Sequence, residues 1–341
     1  PRGSRFLKKA FYQFGPQNMV DWLRERGVSL HTESDGRMFP DSDRSQTIID
    51  CFLREAERYK VDIKMGSAVE KIATSQAGFI LTIREGQTLL ADAVCIASGG
   101  HPGAQAYQWI EALGHPIEPP IPSLFTFNLP GDPLIGLMGV SVPDVQVRIP
   151  SLKLEEQGPV LITHWGLSGP VVLRISAWGA RRLAEHQWTF RAFVNWVPSY
   201  DENALLALFQ SYRDDQPALF ISGRNPFGLP GRLWAYFLQR CGITENVRWG
   251  ELKAASRNAL VKCCCSYELN VVGKTTFKEE FVTAGGVSLS AIHPETMESR
   301  KVPGLFFAGE VMDVDGITGG FNFQHAWTSA WIAAQTVAHR F

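Results

Sequence analysis

The sequence predicts an α/β protein whose parallel-sheet portion is interrupted by a block of mixed β and α character. Three observations carry that prediction. Ala93-Val94-Cys95-Ile96-Ala97 and Leu305-Phe306-Phe307-Ala308 are short continuous apolar runs that lead into glycines, the pattern of strands buried in a parallel sheet. An amphipathic helical pattern precedes the first run, and a long uncharged one follows the second. Between about 119 and 280 the chain turns to β-type alternation around a helical stretch near 200–262, as an inserted domain would.

The elements follow in order. Asn18 is placed to cap a helix with Met19, Val20, Trp22 and Leu23 as its apolar positions and Gly27 as its left-handed stop. From Ser45, Ile48, Ile49, Phe52, Leu53, Ala56 and Tyr59 recur at helical spacing, with Arg54, Glu55, Glu57, Arg58 and Lys60 facing water. Val61-Asp62-Ile63 reads as a strand, and 79–83 with 89–90 read as a hairpin around Glu85-Gly86-Gln87. A helix is expected over 104–113. Pro116, Pro119, Pro120 and Pro122 mark a linker. Strand-like segments follow at 124–128, 145–149, 160–163 and 188–197. Pro230 opens a helix with Leu233, Trp234, Phe237 and Leu238 on one face and Gly242 beyond its end. The alternation over 263–272 reads as a strand. After about 281 the α/β pattern resumes, and the last helix starts beyond Gly319-Gly320.

Composition bounds the function. A chain of 341 residues suits two domains, and 45% hydrophobic with 20% charged residues is ordinary for a globular enzyme. Lys and Arg number 33 against 34 Asp and Glu, for a net charge of −1. That balance gives no long-range field for nucleic acid or an anionic membrane, so neither is an expected partner. The stretch 316–338 carries no Asp, Glu, Lys or Arg, but Thr318, Asn322, Gln324, His325, Thr328, Ser329 and Gln335 make it too polar for a bilayer. It reads as a helix buried in protein. No basic segment followed by an apolar core opens the chain, so no secretory signal is expected. The six cysteines lack paired spacing, which points to a reducing cytosol and a cytoplasmic location.

The candidate chemistry lies at the glycine-ended strands. Ala97-Ser98-Gly99-Gly100 and Gly309-Glu310 let backbone approach a phosphate or sugar closely, and the carboxylate can accept from ribose or ribitol hydroxyls. A plain strand-to-helix turn explains either one alone; two such ends feeding one crevice point to a nucleotide cofactor. Gly316-Ile317-Thr318-Gly319-Gly320-Phe321-Asn322 opens the last helix, where free amides and the dipole suit an anionic ligand or a reduced flavin. Glycines there for tight packing are an equal alternative. No G-x-G-x-x-G follows a strand anywhere. His101, His164 and His325 lack a second ligand at metal spacing, so no metal site is expected, and each reads as a hydrogen-bonded structural histidine rather than a base. Cys263-Cys264-Cys265 read as buried apolar residues. Gly166-Leu167-Ser168-Gly169-Pro170 lacks nucleophile-elbow spacing and is better explained by Pro170 opening a helix. No residue stands out as a catalytic base.

These residues resemble a known family. Gly36-Arg37-Met38-Phe39-Pro40, Ile96-Ala97-Ser98-Gly99-Gly100, Thr163 through Pro170, Thr283-Ala284-Gly285-Gly286-Val287, Thr296-Met297-Glu298-Ser299 and Gly309-Glu310-Val311-Met312-Asp313 through Asn322 are similar, in order, to motifs of the HI0933-like (BaiN/YhiN-type, aminoacetone oxidase) flavoproteins. Ser98 replaces the family's usual Thr, and Phe321 its Tyr. The resemblance implies an FAD/NAD(P)-binding, two-dinucleotide-binding-domain-like fold, with 1–118 and 281–341 as the FAD-binding domain and 119–280 as an inserted substrate-side domain. It places Val69 and Ala97 to Gly100 on the adenosine and pyrophosphate side of FAD. It places Gly309, Glu310, Asp313, Gly319, Gly320, Phe321 and Asn322 near ribitol and isoalloxazine. Relatives begin with a strand and a G-x-G-x-x-G turn, and Pro1 aligns after that unit, so one βαβ unit of about 30 residues is expected to be absent from this chain. Arg37 is a candidate contact for a substrate carboxylate or a flavin carbonyl, although a solvated arginine explains it as well. The activity this implies is hydride transfer between a small organic substrate and FAD. A binding module that has lost cofactor and an RNA-modifying flavoprotein are the rivals.

Overall fold

The computed structural model describes residues 1–76, 78–275 and 282–340. The chain forms two compact units, Pro1–Pro122 with Val282–Phe341, and Ser123–Phe281. The boundary expected near 281 falls outside the described residues.

In the first unit, strands Val94–Ile96 and Leu305–Phe307 pair in parallel, with Leu305 opposite Val94 and Phe307 opposite Ile96. Leu305, Phe306 and Phe307 are fully buried among Ile96, Tyr107, Ile110, Met312 and Ile332. The Val94–Ile96 strand is buried on one face only, because Cys95 between its neighbours is exposed; the expectation of a strand buried throughout holds for Leu305–Phe307 alone. Strands Val69–Ser75, Gly78–Ile83 and Thr88–Ala91 form an antiparallel sheet. The hairpin read around Gly86 is present, and Gly86 has φ 79°.

The prolines read as a linker belong to a strand. Ile117–Ser123 pairs with Val282–Val287, and a proline strand can close a two-stranded pair because only one of its edges needs donors. Gly285 makes the approach possible: its φ is +113°, and a Cβ there would stand 2.4 Å from the Pro119 carbonyl oxygen.

The helices need several corrections. Helix Ser4–Gln13 gave no sequence signal: its N-cap is Gly3 rather than a Ser, Thr, Asp or Asn. The next helix is Pro16–Glu25, and Asn18 lies in its first turn, with Oδ1 accepting from the Gly15 amide at 2.8 Å. The cap acts, but from within. Gly27 is left-handed past the end, as read. Helix Ser45–Arg58 forms as expected, yet of its residues only Cys51 is buried, while Ile49, Phe52, Leu53 and the following Tyr59 are exposed. Glu55, read as solvated, instead pairs with the Arg26 guanidinium at 2.8 Å. Val61-Asp62-Ile63 forms no strand, and Val61 and Ile63 are exposed; no described residue supplies the ladder partner a strand requires. The helix expected over 104–113 reduces to a 3-10 turn, Ala104–Tyr107, and one α-turn, Gln108–Glu111.

The second unit contains, among the described residues, a seven-stranded antiparallel sheet in the order Tyr267–Val272, Thr189–Asn195, Ser141–Ile149, Leu154–Ile162, Gly166–Ser168, Thr126–Asn128, Lys274–Thr275. Helix Pro170–Glu185 covers it, with Pro170 at its first position as read. Helices Glu202–Asp215, Gly231–Arg240 and Ala254–Cys265 bury Phe209, Trp234, Phe237 and Leu260 in the same core as the sheet. Cys263, Cys264 and Cys265 therefore end a helix rather than begin a strand; the strand starts at Tyr267. They are buried, as read. No helix among the described residues is long and apolar enough to cross a membrane.

Candidate functional site

Parallel pairing sets the site. Because Val94–Ile96 and Leu305–Phe307 run the same way in register, Ala97-Ser98-Gly99-Gly100 and Gly309-Glu310 leave the sheet at the same end, where open α/β sheets bind ligands. The ladder extends one step further, the Ala308 amide donating to the Ile96 carbonyl at 3.0 Å. The two loops then meet. A Cβ on Gly100 would stand 2.7 Å from both Cβ and Oγ1 of Thr283 and 2.9 Å from Glu310 Oε1. Gly100 is glycine because of this approach.

Glu310 sits between the loops. Its Oε1 accepts from the Thr283 amide at 2.7 Å. Burial pushes the carboxyl above its ordinary range; the Thr283 amide opposes that, and Asp315 adds to it. The carboxyl is thus fixed by one amide at the sheet edge, in surroundings that disfavour its charge.

The last helix, Phe321–Arg340, is tied to the same turn. His325 Nε2 donates to the Gly309 carbonyl at 3.1 Å, and the Gly309 amide donates to Ser329 Oγ at 2.9 Å. Gln324 donates to Thr328 Oγ1, which donates to the Phe14 carbonyl at 2.8 Å. Gln324, His325, Thr328 and Ser329 are four of the seven polar residues that made the segment unfit for a bilayer. Each is buried and bonded, so the helix is anchored by polar contacts a lipid could not supply. Burial holds His325 down to about 4. It is therefore neutral at physiological pH, with Nε2 carrying the proton that it donates.

The loop before this helix is pinned at two points. Asn322 Oδ1 accepts from the Gly316 amide at 2.7 Å and its Nδ2 donates back to the Gly316 carbonyl at 3.3 Å. The Arg2 guanidinium forks onto the buried Asp315 carboxylate. Gly319 and Gly320 are exposed with φ +113° and +86°, and the space at Gly320 is open where a side chain would stand.

The predicted residues thus fall into groups. Gly100 and Glu310 come together, and Gly309 beside them is held by His325 and Ser329 of the last helix. Arg37, in the turn between strands Leu30–Thr32 and Met38–Pro40, approaches Gly319: a Cβ there would lie 4.0 Å from Arg37 Cγ. Its guanidinium is held by Asp35 at 2.7 Å and Glu33 at 3.0 Å. Asn322 spends both amide groups on Gly316, which makes it a shaper of the loop. Phe321 is exposed beside Gly319. Asp313 binds the Val287 carbonyl through its amide at 3.0 Å. Ala97 and Ser98 are exposed. Val69 belongs to a different sheet, exposed at the first position of its strand opposite Ile83.

Sequence reasoning missed Thr283, whose signal was its place before Gly285-Gly286, and Arg2, which gave none. His325 is the hydrogen-bonded structural histidine that was read from the sequence. The described residues hold no cluster of metal-ligating side chains. Thr283 Oγ1 and His325 Nδ1 are buried without a hydrogen-bond partner among the described residues. Together with the open glycine backbone at Gly99 and Gly320, these groups fit a dinucleotide: amides for phosphate, a carboxylate for sugar hydroxyls, a helix start for negative charge.

Comparison with known proteins gives the family. The HI0933-like protein Rossmann domain matches residues 1–336. The chain belongs to the HI0933-like family. The chain is 34% identical over 97% of its length to a ribosomal RNA dihydrouridine synthase of Escherichia coli, of which it covers 81%. It is 30% identical over 98% of its length to a 3-dehydro-bile acid delta(4,6)-reductase of Clostridium scindens, covering 83% of that protein. A ribosomal RNA dihydrouridine synthase of Haemophilus influenzae is 29% identical over 98% of the chain, with 83% of that relative covered.

Proposed function

We propose that this HI0933-like protein is an FAD-dependent oxidoreductase that delivers hydride to a carbon–carbon double bond conjugated with a carbonyl. The observation that carries this is the meeting of Gly100 and Glu310 at the ends of two parallel strands, with Gly309 tied to His325 of the last helix. The relatives narrow the acceptor. A delta(4,6)-reductase acting on a 3-dehydro-bile acid and an enzyme that makes dihydrouridine both saturate such a bond.

Bound FAD would supply the two-electron chemistry. The chain's own residues would hold and orient it. Glu310 would accept from sugar hydroxyls, while the amides of Ala97 to Gly100 would face the pyrophosphate and adenosine, with Val69 toward adenine. The helix beginning at Phe321, its loop braced by Asn322, would place its positive end against negative charge on the ring system. Gly319, Gly320 and Asp313 would line that end. Arg37 would orient the acceptor's carbonyl. In this reading the Pro1–Pro122 and Val282–Phe341 unit binds the cofactor in a two-dinucleotide-binding-domain-like arrangement, the other unit is the substrate-side domain, and the protein works in the cytoplasm.

We rank a free small molecule above RNA as the acceptor, since a net charge of −1 offers phosphates no field. The relatives named for ribosomal RNA supply the second acceptor to test. The deciding experiment purifies the protein, records its visible spectrum with added FAD, and follows single-turnover oxidation of the reduced form. A 3-oxo-steroid with a conjugated double bond and ribosomal RNA lacking dihydrouridine are the two acceptors. Oxidation by the steroid supports the first reading, and saturation of uridine supports the second. A protein that takes up no flavin leaves the cofactor-free binding module in its place.

A further inference from the structure

In the Ser123–Phe281 unit, far along the chain from the strand ends, two thiols lie in contact. Cys241 caps the end of helix Gly231–Arg240, and Cys263 lies in the last turn of helix Ala254–Cys265. Their sulfurs are 3.6 Å apart, the Cys241 thiol donating to Cys263. A disulfide needs the sulfurs about 2.05 Å apart, so closure takes a rotamer adjustment and a small shift between two helices already packed together. Cys241 and Cys263 are 8% and 9% exposed, which admits a small reagent and excludes a protein one.

The surroundings divide the labour between the two. The Arg240 guanidinium stands 5.2 Å from the Tyr267 ring centre, beside the Tyr236–Tyr267 hydroxyl pair at 2.8 Å. The Cys241 hydrogen bond, and after it the Arg240 charge, hold the Cys263 thiol below its ordinary range, while donating that bond pushes Cys241 up. Cys263 is the thiolate former, and Cys241 is the resolving thiol. The neighbouring cysteines lack this arrangement: Cys264 is fully buried and pushed well up, and Cys265 donates to the Val261 carbonyl at 3.1 Å.

We propose that Cys241 and Cys263 are a peroxide-oxidisable dithiol, a site of reversible disulfide formation between two helix ends. The Cys263 thiolate attacks a peroxide oxygen, an S–O bond forms, the O–O bond breaks, and the leaving oxygen takes a proton as water. The Cys241 sulfur then attacks the Cys263 sulfur; the S–S bond forms, the S–O bond breaks, and the second oxygen leaves as water with the Cys241 proton. Two thiols lose two electrons and two protons, and one hydrogen peroxide becomes two waters.

The test treats the purified full chain with equimolar hydrogen peroxide, alkylates the remaining thiols, and maps the products by mass spectrometry. The expected result is a Cys241–Cys263 linked peptide and two fewer titratable thiols, both reversed by dithiothreitol. Cys264→Ser and Cys265→Ser should each keep the link. Cys241→Ser should lose it and accumulate a dimedone-trappable sulfenic acid on Cys263. A link mapping to Cys264 or Cys265, Cys241 and Cys263 both recovered alkylated, or oxidation of Cys263 beyond sulfenic acid with Cys241 free in the wild type would each overturn the proposal. The wild-type map decides the matter even if a serine variant fails to fold.

Discussion

Glu310 and His325 flank one glycine and are perturbed by burial in ways that make opposite demands on pH. The Glu310 carboxyl is raised above its unfolded value of 4.5. Its protonated form is favoured by folding, so its contribution is fully present below 4.5 and is lost as pH rises through the folded value. Glu310→Gln keeps the oxygen that accepts from Thr283 and removes the buried charge. It should match the wild type in thermal unfolding at pH 4 and equal or exceed it at pH 8, whereas Glu310→Ala, which strands the Thr283 amide, should cost about 1–3 kcal/mol at both. His325 runs the other way: held down to about 4 from an unfolded 6.5, it supplies stability above 6.5 that is lost as pH falls toward 4. A shift of that size bounds the loss at about 3 kcal/mol. His325→Gln, which can still donate to Gly309, should flatten the acid limb of a stability–pH curve; an unchanged limb would show that His325 does not titrate in it. Single residues were legible only where a motif surrounded them. Glu310 stands behind a glycine-ended strand, but nothing in the sequence around Arg2 announces a partner 313 positions away.

At the scale of elements, legibility followed the range of the forces. Strands ended by glycine and helices opened by Pro170 or Pro230 were read correctly because their determinants are local. Val61-Asp62-Ile63 has strand composition, but a strand exists only with a partner, and none is described beside it. Cys263 to Cys265 alternate with Tyr267 onward in hydrophobicity, yet the helix begun at Ala254 carries through them to the Ser266 amide, which bonds the Lys262 carbonyl. The proline run was read as a linker because proline in a strand is tolerated only where pairing leaves an edge free. The site itself is an encounter between elements, and Gly100 is its most sensitive point. Gly100→Ala adds a methyl 2.7 Å from the Thr283 side chain, and neither the sheet edge nor Glu310 can give way cheaply. That variant should stay folded with a lowered melting temperature and bind FAD at least tenfold more weakly in a flavin fluorescence titration. Gly99→Ala, at φ +77° with open space around it, should show a strain cost of about 1–2 kcal/mol without the clash. Equal loss in both variants would mean the close approach at Gly100 is not what shapes the site.

Over the whole molecule, the same amphipathic signal has two meanings. In the Ser123–Phe281 unit, the apolar residues of helices and sheet close on one another, with Trp196, Trp249 and Phe237 fully buried. In the other unit, Ile49, Phe52 and Leu53 of helix Ser45–Arg58 are exposed, and the chain continues with Tyr59, Val61, Ile63 and Met65, the last 86% exposed. Periodicity reported that this face is apolar and could not report whether anything lies over it. Apolar residues gathered on a surface mark a place for contact, and an exposed side chain that packs against nothing can be replaced at little cost. Leu53→Lys with Met65→Lys should therefore leave the unfolding free energy of this chain within about 0.5 kcal/mol of the wild type. The same change should reduce the binding of a hydrophobic dye such as anilinonaphthalene sulfonate. Phe52 is a control of opposite sign, since its ring stacks on Trp22 at 5.3 Å: Phe52→Lys should lower dye binding and stability together. If the double lysine variant destabilised the protein as much as Phe52→Lys, the face would be packed against a neighbour in solution, and Leu53 and Met65 would be buried residues of an association.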